Sequence, residues 1–175
     1  MMLTPCLAAA QAYRDAARAA LVGRLDGRSM DAEQRAAHGF AWVATSVAAL
    51  EAVAGWADAN GHQNALDADT ALLASAETIA QLIGGLPMGQ NEIFRPADLG
   101  LSEAARVLAQ SCAPLLDTDH AAVRARMAEA LADGHTASES FHDAELDAIR
   151  DQFRRFTEAE ILPHAHKWHL ANELI

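Results

Sequence analysis

AAHGFAWVATSVAALEAVAGW, residues 36–56, carries one formal charge, Glu51. Phe40, Val43, Val47, Leu50 and Ala54 recur at the three-and-four spacing of one helix face. The opposite face holds Trp42, Ala49, Ala52 and Trp56, so it is apolar too. A helix that is apolar nearly all round belongs in the middle of a bundle. Its length also raises a membrane span. A carboxylate near the centre, among weakly apolar Ala, Ser, Thr and Gly, argues against that.

The surrounding composition agrees with close helix packing. Apolar residues make up 51% of the 175, but aromatics only 5%, so the core is built from Ala and Leu. No strand pattern of useful length is present. The expected fold class is all-α: an antiparallel helical bundle followed by a long amphipathic helix. The net charge of −11 opposes partnership with nucleic acid, which needs surplus Lys and Arg, and with anionic membranes. Cys6 and Cys112 are too few for a disulfide framework and read as reduced, inert thiols. No signal peptide is recognisable, which makes the cytoplasm the expected location.

In chain order, Thr4 and Pro5 open a first helix that runs to about Leu25, with Ala8, Ala12, Ala16, Ala19 and Leu21 or Val22 inward. Ser29 or Asp31 caps the second, which contains the central stretch and stops at Asn60-Gly61. Asp67 or Asp69 begins a third, with Leu72, Leu73, Ala76, Ile79, Leu82 and Ile83 inward. Gly84-Gly85 ends it. Residues 86–100 hold Pro87, Gly89, Pro96 and Gly100 and read as a structured loop without regular elements. A fourth helix opens at Ser102 and is stopped by Pro114. Asp117 or Thr118 caps a fifth, with Val123, Met127, Ala130 and Leu131 inward. Residues 1–132 thus form the bundle and 133–143 a linker. Residues 144–175 form the amphipathic helix, with Leu146, Ile149, Phe153, Phe156, Ile161 and Leu162 on its apolar side. Pro163 should kink or divide it.

Few residues offer chemistry. His164, His166 and His169 crowd one helical segment, but His164 and His166 point to different sides and no H-E-x-x-H spacing joins them. They read as helix surface, and no metal site is expected. His38 reads as a hydrogen-bonded core histidine. Glu51 is either a buried acid with a raised pKa or the partner of an arginine on a neighbouring helix, and the second is preferred. The most informative loop is Gln81-Leu-Ile-Gly84-Gly85, continuing to Arg95-Pro96: two glycines after a helix let backbone approach a ligand or another chain closely.

Two stretches carry a family resemblance. RDQFRRFTEAEILPHAHKWHLANELI, residues 150–175, resembles the first helix of the FAD-dependent acyl-CoA dehydrogenases, through Arg150, Phe153, Phe156, Glu158, Glu160, Pro163, Ala165 and Trp168. The upstream part, with its AHGFAWVATSVAALEAVAGWA and GGLPMGQNEIFRPADLGL, resembles the N-terminal extension of the methylsuccinyl-CoA dehydrogenase subgroup. The extension is itself similar to the family's C-terminal four-helix domain. There a Gln-x-x-Gly-Gly motif and a later Arg contact the adenosine-diphosphate half of FAD across a subunit interface. The resemblance therefore implies Gln81, Gly84, Gly85 and Arg95 as cofactor-binding positions. This chain has Leu86-Pro87 where the family often has an aromatic and a Gly, and it lacks the Tyr-Glu-Gly-Thr-like run that holds the catalytic glutamate. A role in packing and assembly is the expectation, with no catalytic residue assigned.

What the resemblance implies for the whole protein is oxidation of the Cα–Cβ bond of an acyl-CoA thioester, FAD as cofactor, the rest of the dehydrogenase core as partner, and a homo-oligomer. The 175-residue chain alone is expected to be inactive, with the flavin-covering β-domain and the base beyond Ile175. The alternative is a stand-alone helical interaction domain presenting the Gly84–Arg95 loop or the 144–174 helix.

Overall fold

The computed structural model describes residues 3–61, 64–139 and 143–172. It is helical apart from one two-residue ribbon, as the composition requires. The elements are α1 (Leu3–Arg24), α2 (Gln34–Asn60), α3 (Ala65–Gly84), β1 (Leu86–Pro87), β2 (Ile93–Phe94), α4 (Ser102–Ser111), the single turn α5 (Ala113–Leu116), α6 (His120–Ala132), α7 (Ala144–Phe156) and α8 (Leu162–Ala171). Short 3-10 turns at Met30–Glu33 and Pro96–Leu99 introduce α2 and α4. The chain forms two compact units, residues 1–137 and 138–175.

In the first unit the most enclosed helix is α3, not α2. It touches α1, α2, α4, α5 and α6 and buries Leu66, Ala71, Leu73, Ala76, Ile79 and Leu82. On α2 only one stripe is buried, Ala36, Gly39, Val43, Val47 and Leu50. Trp42, Ala49 and Ala52 face out, and Trp56 is half-buried. Residues 30–60 are long and apolar enough to cross a membrane by length and composition, yet only 17% of their most apolar window is buried. Alanine explains the misjudged position. A methyl group loses little by facing water, so an Ala-rich helix can be apolar all round and still sit on a surface.

The same ambiguity misplaces the inner face of α1. The buried residues are Cys6, Ala10, Tyr13, Ala17 and Leu21; Ala8, Ala12, Ala19 and Val22 are exposed. The large side chains choose the face, and the alanines follow. On α6 only Val123 is fully buried, and Leu131 is 56% exposed. Two arginines fasten this helix to α3 instead: Arg126 to Asp69 at 2.8 Å and Arg124 to Glu77 at 2.6 Å.

The caps of α3 and α6 are neither Asp67 or Asp69 nor Asp117 or Thr118. Asn64 caps α3 by accepting from the Leu66 amide at 3.0 Å, and Asp119 caps α6 by accepting from the Ala122 amide at 3.0 Å. Pro114 does not simply end a helix; it lies in the first turn of α5, where its missing N–H costs nothing.

Glu51 is paired, as preferred above. Its carboxylate accepts from Gln11 Nε2 at 2.9 Å and from Arg14 Nη1 at 3.1 Å, both on α1. This polar clip ties α1 to α2 beside the apolar seam. His38 is not in the core. It is exposed and accepts a 2.9 Å hydrogen bond from the Trp42 indole, one turn on.

Tyr13 is the chain's single tyrosine, 2% exposed, with no hydrogen-bond partner for its hydroxyl among the described residues. Burial pushes its pKa from 10.0 to about 12. Below pH 10 the phenol is neutral whether the chain is folded or not. Between pH 10 and 12 the unfolded chain ionises first, so stability falls across that window. A phenolate absorbance titration reads this residue alone. It should give a midpoint near 12 in the folded protein and near 10 in denaturant, and Tyr13→Phe should flatten the alkaline fall in stability. Coincident folded and unfolded midpoints would contradict the burial argument.

In the second unit, Asp143 caps α7 by accepting from the Glu145 and Leu146 amides. Pro163 divides the helical run as expected. Lacking an N–H, it cannot continue the i to i−4 ladder, and the backbone widens into a π-turn over Thr157–Ile161 just before it. Leu146, Ile149, Phe153 and Phe156 are 49%, 47%, 69% and 55% exposed.

Candidate functional site

Residues 86–100 are more ordered than their Pro and Gly content suggests. Gly85 donates its amide to Gln81 O at 2.8 Å and closes α3. Its φ of +148° is one that side-chain-bearing residues rarely adopt, and a Cβ there would lie 2.8 Å from Ile93 Cγ2. Only glycine lets the chain reverse here with Ile93 so near. Leu86-Pro87 then pairs antiparallel with Ile93-Phe94, and the Met88 amide donates to Glu92 O at 2.8 Å. The expectation of no regular structure is corrected by this ribbon. Propensity missed it because a two-residue ladder is held by tertiary anchors, not by β-formers.

Those anchors are specific. Leu86, Met88 and Phe94 are buried in the core. The Phe94 ring lies across the backbone of α2 at Gly39, where a Cβ would fall 2.1 Å from Cδ2. Arg35, one turn before, donates to Glu92 at 2.8 Å, Ile93 O at 2.9 Å and Asp98 Oδ2 at 3.3 Å. Arg24 from the end of α1 donates to Asp98 O at 2.6 Å. Asp98 also accepts from the Arg95 amide at 2.8 Å. Nearby, the nearly buried Glu33 receives Arg28 at 2.5 Å and Arg24 at 3.6 Å. Replacing Arg35 by alanine removes three donors at once. Discounted for its exposure, the loss should be about 1 kcal/mol of stability, with looser hydrogen-exchange protection at Glu92–Asp98.

Between the end of α3 and the start of α4 lies an open depression of about 350 Å³ whose lining includes Gly84, Arg95, Ser102, Ala105 and Arg106. Arg95 is exposed, and its guanidinium makes no ion pair with another described residue. Arg106 is held by Glu103 through two hydrogen bonds of 2.8 and 2.5 Å, and that partner keeps the Glu103 carboxyl below its ordinary range. Ser102 opens α4, whose preceding residue, Leu101, has no side chain able to cap it. The chemistry on offer is anion recognition by the Arg95 guanidinium and a glycine backbone without a side chain in the way, beside a helix start that already carries Glu103 in its first turn.

Of the four sequence-derived positions, the depression brings together Gly84 and Arg95. Gln81 is exposed outside it, and Gly85 faces Ile93. Ser102 and Arg106 were missed. Ser102 was legible only as a helix start, and Arg106 only as a charged position on α4. His164, His166 and His169 are exposed on α8, and among the described residues no three His, Cys, Asp or Glu side chains gather as a metal set.

No protein-family model matches the chain. It is 37% identical over 164 residues to (2S)-methylsuccinyl-CoA dehydrogenase of Cereibacter sphaeroides, and the match covers 87% of the chain. Over that match the chain is similar to part of an acyl-CoA dehydrogenase. At 87% the match is longer than the 137 residues of the first unit and so reaches into the second. One relative therefore matches residues in both units. The chain spans 29% of that relative's length.

Proposed function

We propose that this chain is the N-terminal portion of a flavin-dependent dehydrogenase that oxidises the Cα–Cβ bond of an acyl-CoA thioester of the methylsuccinyl type. The observation that supports it best is the 37% identity, over a match that reaches into both units. When bound, FAD would supply the hydride acceptor; the residues described here supply shape and charge. The 1–132 bundle acts as a packing and assembly element in a homo-oligomer. The 144–175 segment acts as the first helix of the dehydrogenase core, its stripe of Ile149, Phe153 and Phe156 covered by that core. The chain alone is inactive.

The depression fits part of a dinucleotide only. Arg95 and the Gly84 backbone suit a phosphate, with Arg106 nearby, but Gln81 stands apart and Gly85 is committed to the turn. A contact of this kind is worth about 1.5–3 kcal/mol. If it forms, Arg95→Ala in the flavin-bearing native protein should raise the FAD dissociation constant about ten- to a hundredfold. An unchanged constant assigns the depression to assembly alone.

The test of the main proposal is anaerobic addition of methylsuccinyl-CoA, followed by visible flavin absorbance. The native protein should bleach and the isolated chain should not. Bleaching by the isolated chain would refute its inactivity, and a colourless native protein would refute the dehydrogenase. The exposed stripe on α7 also favours a second reading, a stand-alone interaction domain, which such a colourless protein would leave in place.

A further inference from the structure

Cys6 and Cys112 lie far apart in the chain yet meet in the core of the first unit. Cys6 stands in the first turn of α1, 4% exposed; Cys112 joins α4 to α5, 0% exposed. Their side chains lie near enough to interact, both belong to the one buried core cluster, and α1 packs along α4. Beside Cys6 is a cavity of about 10 Å³, lined also by Leu3, Leu7, Leu50 and Ala54. Nothing in the proposed dehydrogenase role uses either thiol.

We propose that Cys6 and Cys112 are a redox pair, which a small-molecule disulfide closes into a reversible intrachain bond stapling the first turn of α1 to the α4–α5 junction. The asymmetry of the pair sets the order of events. The first turn of a helix opens most readily, so Cys6 meets the oxidant. Burial pushes the Cys112 thiol well above its ordinary range, so it is the resolving partner and not the first nucleophile. The Cys6 thiolate attacks the small disulfide, forming a mixed disulfide and releasing one thiolate. As the turn closes, Cys112 gives up its proton and attacks the Cys6 sulfur, expelling the second small thiol. The protein loses two electrons and two protons, and one small disulfide becomes two thiols. The product restrains a long loop and holds the α1–α4 seam shut.

The probe is oxidised glutathione in excess at mildly alkaline pH, followed by acid quench, unfolding, alkylation with iodoacetamide and intact mass. The expected product has lost two hydrogens, takes no alkyl group, melts at a higher temperature, and reverts with dithiothreitol. The Cys112→Ala variant should stop at a Cys6–glutathione adduct. Two alkylated thiols after prolonged oxidation, a lasting adduct at Cys6 in the unmutated chain, or a bond between two copies would each overturn the proposal.

Discussion

Truncating Phe94 to alanine is expected to lower the stability of the first unit by about 3–5 kcal/mol, the range for removing a buried aromatic. Phe94 is 2% exposed and sits in the core cluster with Leu86 and Met88. Its loss deletes the ring that presses β2 onto α2. The cavity would open beside a glycine, and Gly39 has no side chain to move into it. The site therefore cannot collapse cheaply, which puts the cost toward the upper end. Chemical denaturation should show a lower midpoint with an unchanged slope. The ribbon should lose order first, and with it the Arg95 edge of the depression. A loss under about 1 kcal/mol would mean that Phe94 is not the anchor described here.

Gly39→Ala is expected to destabilise by about 1–3 kcal/mol, against the ordinary rule for helices. Alanine in a helix interior is favoured over glycine by about 1 kcal/mol. Here the new methyl would lie 2.1 Å from Phe94 Cδ2, 2.4 Å from Cε2 and 2.7 Å from Cγ. These are ring atoms of a fully packed side chain, and Arg35 pins the strand that carries them. The ring cannot swing aside without dragging β2, so overpacking outweighs propensity. The sign of the effect is the test. Combined with Phe94→Leu, the alanine should cost less than it does alone, giving a favourable coupling between two residues far apart in sequence. Additivity of the pair would contradict the packing.

What could be seen in the sequence, and what could not, follows from which residues are large. The inner face of α3 was legible because Leu73, Ile79 and Leu82 mark it with bulk. That of α1 was not, because eight of its residues between 8 and 20 are alanine and any of several alanine rows could be inner. Tyr13 settles the question only after the neighbouring helices are placed. Glu51 was legible as a paired acid by elimination, since an unpaired carboxylate among apolar residues is costly. The ribbon at 86–94 was hidden because its stability comes from Arg35 and Phe94, contacts no local pattern records. Gly39 looked like an ordinary member of a small-residue helix, and its role exists only in relation to Phe94. In the candidate site, the motif Gln81-x-x-Gly84-Gly85 marks the turn that closes α3. Which of its residues face the depression depends on the positive φ of Gly85, and Arg106 enters only through the packing of α4.

We propose that these residues work as one part of a larger dehydrogenase, and the intact mass of the native polypeptide that contains them, isolated from its source, decides it. A mass about threefold or more above 18.6 kDa is expected, since the chain matches only 29% of its relative, with flavin carried by the same polypeptide. A native product of 18.6 kDa without flavin would contradict it. The exposed stripe of α7 would then have to serve a separate partner.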